Sequence, residues 1–203
     1  MNNYDAWRQI YNGVMAAAQY RHTTHIAGGC IRDYMLGLPH NDIDVFLDAA
    51  IDRVSSDDFV TRMEGRGFTY RRRVGAEEYP GADAGFNVAE FHHPATDNIV
   101  QVMGLRNTFL GTHYRHFDNN MVRCYYSEQG VHLSRGFMEG MENKKVTPWA
   151  VSDEGDASII RANNFIDKAN TIEPGWVRDP FTDAEWNALD RDEVIRNVRV
   201  GNG

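Results

Sequence analysis

The feature that most constrains this chain is one short segment, HIAGGCIRDYMLGLPHNDIDVF, at residues 25 to 46. Two adjacent glycines, Gly28 and Gly29, let the backbone pass close to a phosphate without a side chain in the way. A helix that follows them presents unpaired N–H groups and the positive end of its dipole to such an anion. Asp42 and Asp44 stand two residues apart, so on a strand both carboxylates project from one face and can hold divalent cations together. The segment therefore predicts a site for a nucleoside triphosphate and its metal ions.

The same segment predicts its own secondary structure. Thr23 to Ala27, with its β-branched residues, predicts a short strand that ends at the glycines. Cys30 to Leu36 predicts a short helix closed by Gly37, a residue suited to the left-handed position after a helix. Ile43 to Leu47 is apolar except for Asp44 and predicts a buried strand with carboxylates at its beginning.

On either side of this segment the chain alternates between helical and strand patterns. Residues 3 to 20 repeat apolar side chains at helical spacing and predict an amphipathic helix carrying Trp7, Ile10, Tyr11, Val14 and Ala18 on one face. The other predicted elements before residue 106 are a helix at Asp57 to Glu64 capped by Ser55 or Ser56, a strand at Phe68 to Arg73, and an antiparallel hairpin formed by Phe86 to His93 and Ile99 to Leu105.

Patterns are weaker in the second half of the chain. Met121 to Tyr126 and Gly130 to Leu133 are candidate short strands. Ser158 to Ala169 predicts a helix whose apolar side carries Ile159, Ile160, Phe165 and Ile166. Near the end, Thr182 to Glu185 resembles a helix start.

Composition excludes several classes of protein. No apolar run reaches the roughly 18 to 20 residues that a membrane helix requires, and the start MNNYDAWRQI lacks the basic and apolar regions of a secretory signal, so we expect a cytoplasmic protein. The net charge of -8 argues against a broad nucleic-acid-binding surface. Cys30 and Cys124 have no metal-ligand spacing and predict two buried free thiols.

Taken together, the motifs resemble a known signature. Gly28-Gly29, Arg32-Asp33, Leu36-Gly37 and Asp42-Ile43-Asp44-Val45 are similar to the signature of the nucleotidyltransferase superfamily that includes DNA polymerase beta. The resemblance is strongest to its poly(A) polymerase and tRNA CCA-adding branch. It is tight over residues 25 to 47 and loose over 48 to 110. Residues 161 to 169, RANNFIDKA, resemble a helix that small phage-encoded members carry after the core, which would place this protein in the host cytoplasm.

This resemblance implies an α+β fold, with a mixed β-sheet flanked by helices and a small C-terminal α/β extension. It implies a nucleotidyltransferase core at residues 1–110 and an extension at 111–203 packed on that core. Gly28 and Gly29 would lie near the triphosphate, and Asp42 and Asp44 would be the catalytic carboxylates and the ligands of Mg²⁺ or Mn²⁺. Arg32 and Asp33 would lie beside the nucleotide; as residues alone they equally fit a pair that braces the helix against the strand of Asp42 and Asp44.

The chain departs from the family pattern at one position. The family often supplies a third carboxylate from a later strand, and the best matching strand, Ile99 to Met103, carries Gln101 there. A Gln carbonyl can coordinate Mg²⁺ but lacks the charge that helps to ionise an attacking hydroxyl. Glu90 on the neighbouring strand is a substitute candidate or an exposed strand carboxylate. Arg106 either faces the triphosphate or is a surface residue.

Two functions follow. The first is a metal-dependent enzyme that transfers a nucleoside monophosphate from an NTP to a hydroxyl of RNA, of a protein or of a small molecule. Ordinary CCA addition is disfavoured, because roughly 100 residues and an acidic tail after Leu105 do not suit a tRNA-binding region. The alternative is a catalytically weakened nucleotidyltransferase-like domain that serves as a nucleotide-binding or protein-interaction module.

Overall fold

The structure is a computed structural model of the 203-residue chain. It describes residues 3–20, 22–40, 42–48, 54, 56–75, 87–94, 96–105, 109–110, 114, 117–148, 157–178 and 196–198. The chain forms two compact units, the first made of Met1–Cys30 and His40–His113 and the second of Ile31–Pro39 and Tyr114–Gly203. From sequence we predicted a division after residue 110. The second unit begins at Tyr114 and also takes residues 31–39, and the predicted core at 1–110 with an extension at 111–203 stays a prediction.

The described helices and strands alternate along the chain. In order, the helices are α1 (Asn3–Ala17), α2 (Gly29–Met35), α3 (Asp57–Glu64), α4 (Arg135–Asn143) and α5 (Ala157–Asn170). The strands are β1 (Thr24–Ala27), β2 (Asp42–Leu47), β3 (Thr69–Gly75), β4 (Asn87–His93), β5 (Asn98–Gly104), β6 (Cys124–Ser127), β7 (Gly130–Leu133), β8 (Lys145–Val146), β9 (Val177–Arg178) and β10 (Arg196–Val198). The presence of both helices and strands confirms the prediction of an α+β protein. None of the described helices is long and apolar enough to cross a bilayer.

The first unit contains a mixed sheet in the strand order β1-β2-β5-β4-β3. β2 runs parallel to β5, and the other neighbours are antiparallel, including the predicted hairpin of β4 and β5. Between Tyr70 and Arg72 the register of β3 against β4 shifts, which leaves Arg71 without an opposite residue. The sheet thus brings β2, which carries Asp42 and Asp44, between β1 and β5.

Helices cover one face of this sheet. The predicted amphipathic face of α1 is confirmed, because Trp7, Ile10 and Val14 are fully buried. Ser56 caps α3 by accepting a hydrogen bond from the Phe59 backbone N–H, and the Phe59 ring packs edge-on against Phe91 of β4. Side chains alternate along a strand, so the residues on either side of Phe91 project to the face of the sheet opposite α3.

The second unit is built from short elements. β10, β7 and β6 are neighbours in that order, and β8 pairs with β9. The candidate strand at Met121 to Tyr126 is shorter than predicted, because Asn120–Val122 form a single turn of 3-10 helix and the strand begins at Cys124. Cys124 and Cys30 are buried thiols that form no disulfide with each other, as predicted.

Helix α5 corrects one prediction and confirms another. The helix lies where the apolar spacing placed it, and Ile159 and Phe165 are buried. Ile160 was expected on the apolar side but has 47% of its surface exposed. The reason is geometric, because Ile160 follows Ile159 by one residue, and a step of one residue turns the side chain about 100° around the helix axis. The helix start predicted at Thr182 lies outside the described residues.

Helix α4 was not predicted, and one of its glycines yields a test of packing. A Cβ added at Gly140 would lie 2.4 Å from Asn120 Nδ2, 2.6 Å from Met121 Sδ and 2.8 Å from the Lys145 carbonyl oxygen. We expect Gly140→Ala to destabilise the protein by roughly 1–3 kcal/mol, the usual cost of overpacking a core, measured as a fall in the urea midpoint.

Gly136 in the same helix is the matched control. The nearest atom to a Cβ at Gly136 is Asn120 Cβ at 3.6 Å, an ordinary contact. Gly136→Ala should leave stability unchanged or raise it slightly, because alanine favours the helix by up to about 1 kcal/mol over glycine. Equal urea midpoints for Gly140→Ala and Gly136→Ala would contradict the close packing around Gly140.

Candidate active site

The glycine turn and the strand β2 meet at Asp44. Ala27, the last residue of β1, lies opposite Asp44, and Gly28 follows with φ of +87°. That backbone conformation is in the left-handed region, which glycine enters without steric cost. A Cβ at Gly28 would stand 3.6 Å from Asp44 Oδ2. The Asp44 carboxylate therefore lies against the turn formed by Gly28, and Gly29 is the first residue of α2.

Asp42 and Asp44 begin β2 and project to the same face of the sheet. Asp42 is exposed and Asp44 is half-buried. Burial, and then the negative charge of Asp42, raise the pKa of Asp44 from 3.8 to about 7. A pair of carboxylates that repel each other in this way gains from a cation between them. Within the described residues no group of three or more His, Cys, Asp and Glu side chains could hold a metal ion.

The donor set nevertheless suits one kind of ion. Mg²⁺ prefers oxygen ligands and is usually bound by one or two carboxylates together with substrate phosphates and water. Asp42 and Asp44 supply two carboxylates, and the exposed position of Asp42 leaves space for a ligand that brings further oxygens. These residues fit Mg²⁺ or Mn²⁺ delivered with a nucleotide.

The raised pKa of Asp44 makes stability depend on pH. The folded chain releases this proton near pH 7 and the unfolded chain near 3.8, so the contribution of protonated Asp44 to stability is full below about pH 4 and is lost as the pH rises through 7. In EDTA, Asp44→Asn should therefore raise the melting temperature above wild type at pH 8 by at least about 2 °C, the change that about 1 kcal/mol gives in a chain of this size. The difference should shrink at pH 5. A difference in melting temperature that stays constant between pH 5 and pH 8 would contradict the raised pKa of Asp44.

A row of polar side chains continues from Asp44 across the sheet. Gln101 of β5 lies opposite Asp44, Glu90 of β4 lies opposite Gln101, and Arg72 of β3 lies opposite Glu90. We call these four residues the polar row. Glu90 is 6% exposed, so it is not the exposed strand carboxylate that was one alternative from sequence. Its carboxylate accepts hydrogen bonds from Gln101 Nε2 at 3.1 Å and from Arg72 Nε at 2.8 Å.

Arg32 and Asp33 form an ion pair on α2 in the second unit. Arg32 Nη2 lies 2.7 Å from Asp33 Oδ1, and Asp33 is only 4% exposed. The guanidinium of Arg32 also stacks over the Phe165 ring at 4.2 Å, a cation–π contact. On its other oxygen, Asp33 receives Lys168 Nζ at 2.6 Å. The contacts of this pair therefore extend from α2 to α5.

Sequence reasoning missed the polar side of α5. Arg161, Phe165 and Lys168 are spaced by four and three residues, so they share one side of the helix. Lys168 also donates to the Pro39 carbonyl oxygen, and Arg161 pairs with Asp118. Burial raises the pKa of Asp118 although Arg161 opposes the shift. The helical spacing of the basic residues was a usable signal, whereas their acidic partners lie far away along the chain.

The structure thus groups the predicted site residues in two sets. Gly28, Asp42, Asp44, Gln101 and Glu90 lie in the first unit, and Arg32 and Asp33 lie in the second. Arg106 lies outside the described residues, so its role stays a prediction.

Comparison with known proteins confirms the resemblance to the poly(A) polymerase and CCA-adding branch, whereas the resemblance of residues 161–169 to a helix of phage-encoded members stays a prediction. Residues 24–101 match the poly A polymerase head domain. Among solved structures, the chain is similar to a Thermotoga maritima CCA-adding enzyme complexed with tRNA, at 13% identity and a TM-score of 0.53, over 90% of this chain and 40% of that chain. A tRNA-processing enzyme in an apo form matches at 14% identity and a TM-score of 0.57, over 94% of this chain and 47% of the other. A CCA-adding enzyme with CTP matches at 12% identity and a TM-score of 0.52, over 90% and 41%.

These similarities show the fold. The predicted nucleotidyltransferase fold is confirmed, and the chain spans less than half the length of the solved structures that it matches. No curated protein matches the chain by sequence.

Proposed function

From the match of residues 24–101 to the poly A polymerase head domain, we infer that the chain is a nucleotidyltransferase that moves a nucleoside monophosphate from an NTP to a hydroxyl acceptor. One observation carries this proposal. The carboxylate of Asp44 lies against the turn at Gly28, and Asp42 stands on the same face of β2. A phosphate held at the turn would lie within reach of both carboxylates.

For this reaction the protein must bind the NTP, orient it toward the acceptor and stabilise the charge on its phosphates. The acceptor oxygen forms a bond to the α-phosphorus, the bond from that phosphorus to the bridging oxygen breaks, pyrophosphate leaves, and the hydroxyl proton passes to solvent. Positioning and electrostatic stabilisation dominate such transfers, so no nucleophilic side chain is needed. Gly28 and Gly29 admit the triphosphate close to the backbone. Asp42 and Asp44 hold the cation that accompanies it.

Mg²⁺ or Mn²⁺ is the cofactor that these two carboxylates fit. When bound, such an ion neutralises phosphate charge and lowers the pKa of a bound hydroxyl. Asp44 contributes a carboxylate whose pKa burial and the charge of Asp42 raise to about 7, so a neighbouring cation would favour its charged form. Asp42, which is exposed, is the ligand nearer to solvent.

We place Arg32 and Asp33 in a supporting role. Their contacts with Phe165 and Lys168 hold α2 against α5, and α2 is the helix that starts at Gly29. This supports a bracing role in preference to contact with the nucleotide, although the partner is α5 and not the strand of Asp42 and Asp44 that the sequence suggested.

An NTP is the expected partner, and the acceptor is the open question. Solved relatives of this fold include one with CTP and one with tRNA, which makes RNA a reasonable first acceptor to test. The test supplies each of the four α-³²P-labelled NTPs with Mg²⁺ and mixtures of RNA, protein and small hydroxyl compounds. We expect a labelled product, whose sensitivity to nuclease or protease names the acceptor class. No labelled product with any acceptor or NTP would count against the enzyme.

A second candidate function follows from Gln101. This residue stands where the family often has a third carboxylate, so the chain could bind nucleotide without turning it over. Calorimetric titration with NTP and Mg²⁺ separates the two functions. Binding in the absence of any transfer product favours a nucleotide-binding module.

A further inference from the structure

Basic charge is concentrated at one edge of the first unit. Residues 65–75, GRGFTYRRRVG, contain four arginines and no acidic residue, in a chain whose net charge is -8. Arg71, Arg72 and Arg73 lie on β3, the last strand in the described order of the sheet, and all three are exposed. We call these three residues the arginine edge. A local excess of positive charge on an acidic chain indicates a surface for an anionic partner.

The pairing of β3 favours contact through its side chains over contact through its backbone. The register shift makes Arg71 an extra residue between Tyr70 and Arg72. Such a bulge bends an edge strand and twists it away from pairing with a further strand, which is how a peptide would add to the sheet. Arginine side chains offer planar forks of N–H donors that match phosphate oxygens two at a time. The edge therefore suits a ligand that carries phosphates.

The arginine edge lies at a fixed distance from the two aspartates. Arg72 and Asp44 are the two ends of the polar row, whose members are directly opposite one another and therefore share one face of the sheet. Neighbouring strands are about 4.8 Å apart, so three strand spacings separate the two ends by about 14 Å. A nucleic-acid strand advances about 3.4 Å per nucleotide along a helix, so about four stacked nucleotides span this distance.

We propose that the arginine edge binds the phosphate backbone of a single-stranded nucleic acid whose 3′ hydroxyl is the acceptor at Asp42 and Asp44. The inference rests on the proposed function, because it needs nucleotidyl transfer at the two aspartates. Arg72, with 52% of its side chain exposed, and Arg71 beside it contact phosphates about four nucleotides before that hydroxyl. Glu90 lies between the two ends of the row but is only 6% exposed, so the strand passes over little acidic surface.

Fluorescence anisotropy measures this binding without any reaction. The probes are end-labelled oligoadenylates of ten nucleotides, one of RNA and one of DNA, in EDTA at low salt. Arg71→Gln should weaken binding by about tenfold, the low end for a hydrogen bond to a charged group. It should also reduce the slope of log affinity against log salt by about 0.7, the value for one phosphate contact on a single strand. Arg71→Lys keeps the charge and should keep the slope.

Arg8→Gln is the matched control. Arg8 is an exposed arginine on α1, away from the arginine edge, and its replacement changes the net charge of the chain by the same amount. This variant should bind both oligonucleotides as wild type does. Equal weakening by Arg8→Gln and Arg71→Gln would overturn the proposal, because net charge alone would then explain the binding.

Acceptor length gives a second readout, which a purely structural role of Arg71 would not change. In label transfer, Arg71→Gln should raise KM for the ten-nucleotide acceptor and leave kcat unchanged, because it removes binding that is the same in the ground and transition states. A dinucleotide is too short to reach from Asp44 to the arginine edge, so transfer to a dinucleotide should be unaffected. Equal losses with the two acceptors would contradict the proposed path of the strand.

The outcomes separate this surface from the function on which it rests. If wild type transfers label and Arg71→Gln binds nucleic acid as wild type does, the surface is wrong and the proposed function stands. If Arg71→Gln weakens binding but wild type forms no product, the surface stands and the proposed function is wrong. If wild type binds neither oligonucleotide, the proposal is overturned, and the arginines only protect the edge strand from pairing. Tighter binding of a polyglutamate peptide than of either oligonucleotide would overturn it in favour of an acidic protein partner.

Discussion

Replacing Asp42 and Asp44 together by asparagine is expected to lower the rate of nucleotidyl transfer by at least about a thousandfold. Under the proposed function the carboxylates would hold the cation that stabilises charge on the phosphates. Such a contribution amounts to several kcal/mol, and about 4 kcal/mol corresponds to a thousandfold change in rate. Asparagine keeps the shape of the side chain but loses the charge. The measurement is transfer of label from α-³²P-NTP in Mg²⁺ to whichever acceptor wild type uses.

The fold of this variant should remain intact. Asp42 is exposed, and removing the charge at Asp44 relieves repulsion, so the melting temperature should not fall. Asp58→Asn serves as the control, because Asp58 is an exposed carboxylate in the first turn of α3. Its transfer rate should match wild type. Label transfer by the double variant at more than a tenth of the wild-type rate would rule out the two aspartates as the cation ligands.

The second large effect concerns stability and lies in the second unit. Asp33→Ala is expected to destabilise the protein by about 2–4 kcal/mol, near the cost of breaking a buried ion pair from one side. The substitution leaves Arg32, whose side chain is 13% exposed, and Lys168, which is 35% exposed, without their shared carboxylate. Since Lys168 reaches solvent, we expect a cost about 1 kcal/mol below the usual range of about 3–5 kcal/mol. Urea unfolding followed by tryptophan fluorescence gives the free energy of unfolding.

An exposed ion pair supplies the comparison. Arg135 and Glu139 of α4 are 55% and 41% exposed and stand one helical turn apart. Arg135→Ala should cost less than about 1 kcal/mol, as exposed pairs usually do. If Asp33→Ala proves as mild as Arg135→Ala, then Asp33 does not brace α2, and contact with the nucleotide regains weight as its role.

Local patterns in the sequence were sufficient for the glycine turn and the strand β2. The positive φ of Gly28, the alternation around Asp44 and the amphipathic face of α1 each depend on residues within one element. The hairpin of β4 and β5 was predictable for the same reason. In contrast, α4, RGFMEGMEN, was missed because two glycines in nine residues lower its helix propensity, although Phe137 and Met141 keep helical spacing.

What the sequence could not reveal depends on contacts between distant residues. Asp33 and Lys168 are 135 positions apart, and no spacing rule connects them. Glu90 was a candidate ligand from sequence, but its partners, Arg72 and Gln101, follow from the register of three strands. A shift of one residue in that register would turn each side chain to the other face.

The irregular pairing of β3 has a consequence for how this sheet can vary. Arg71 is the extra residue in the edge strand, and Tyr70 and Arg72 keep Phe91 and Glu90 as their opposite residues. Deleting Arg71 would shorten the strand by one position and leave those two cross-strand pairs in place. An insertion or deletion at this point would thus change only the edge strand, and Asp42 and Asp44 of β2, three strands further in, would keep their positions.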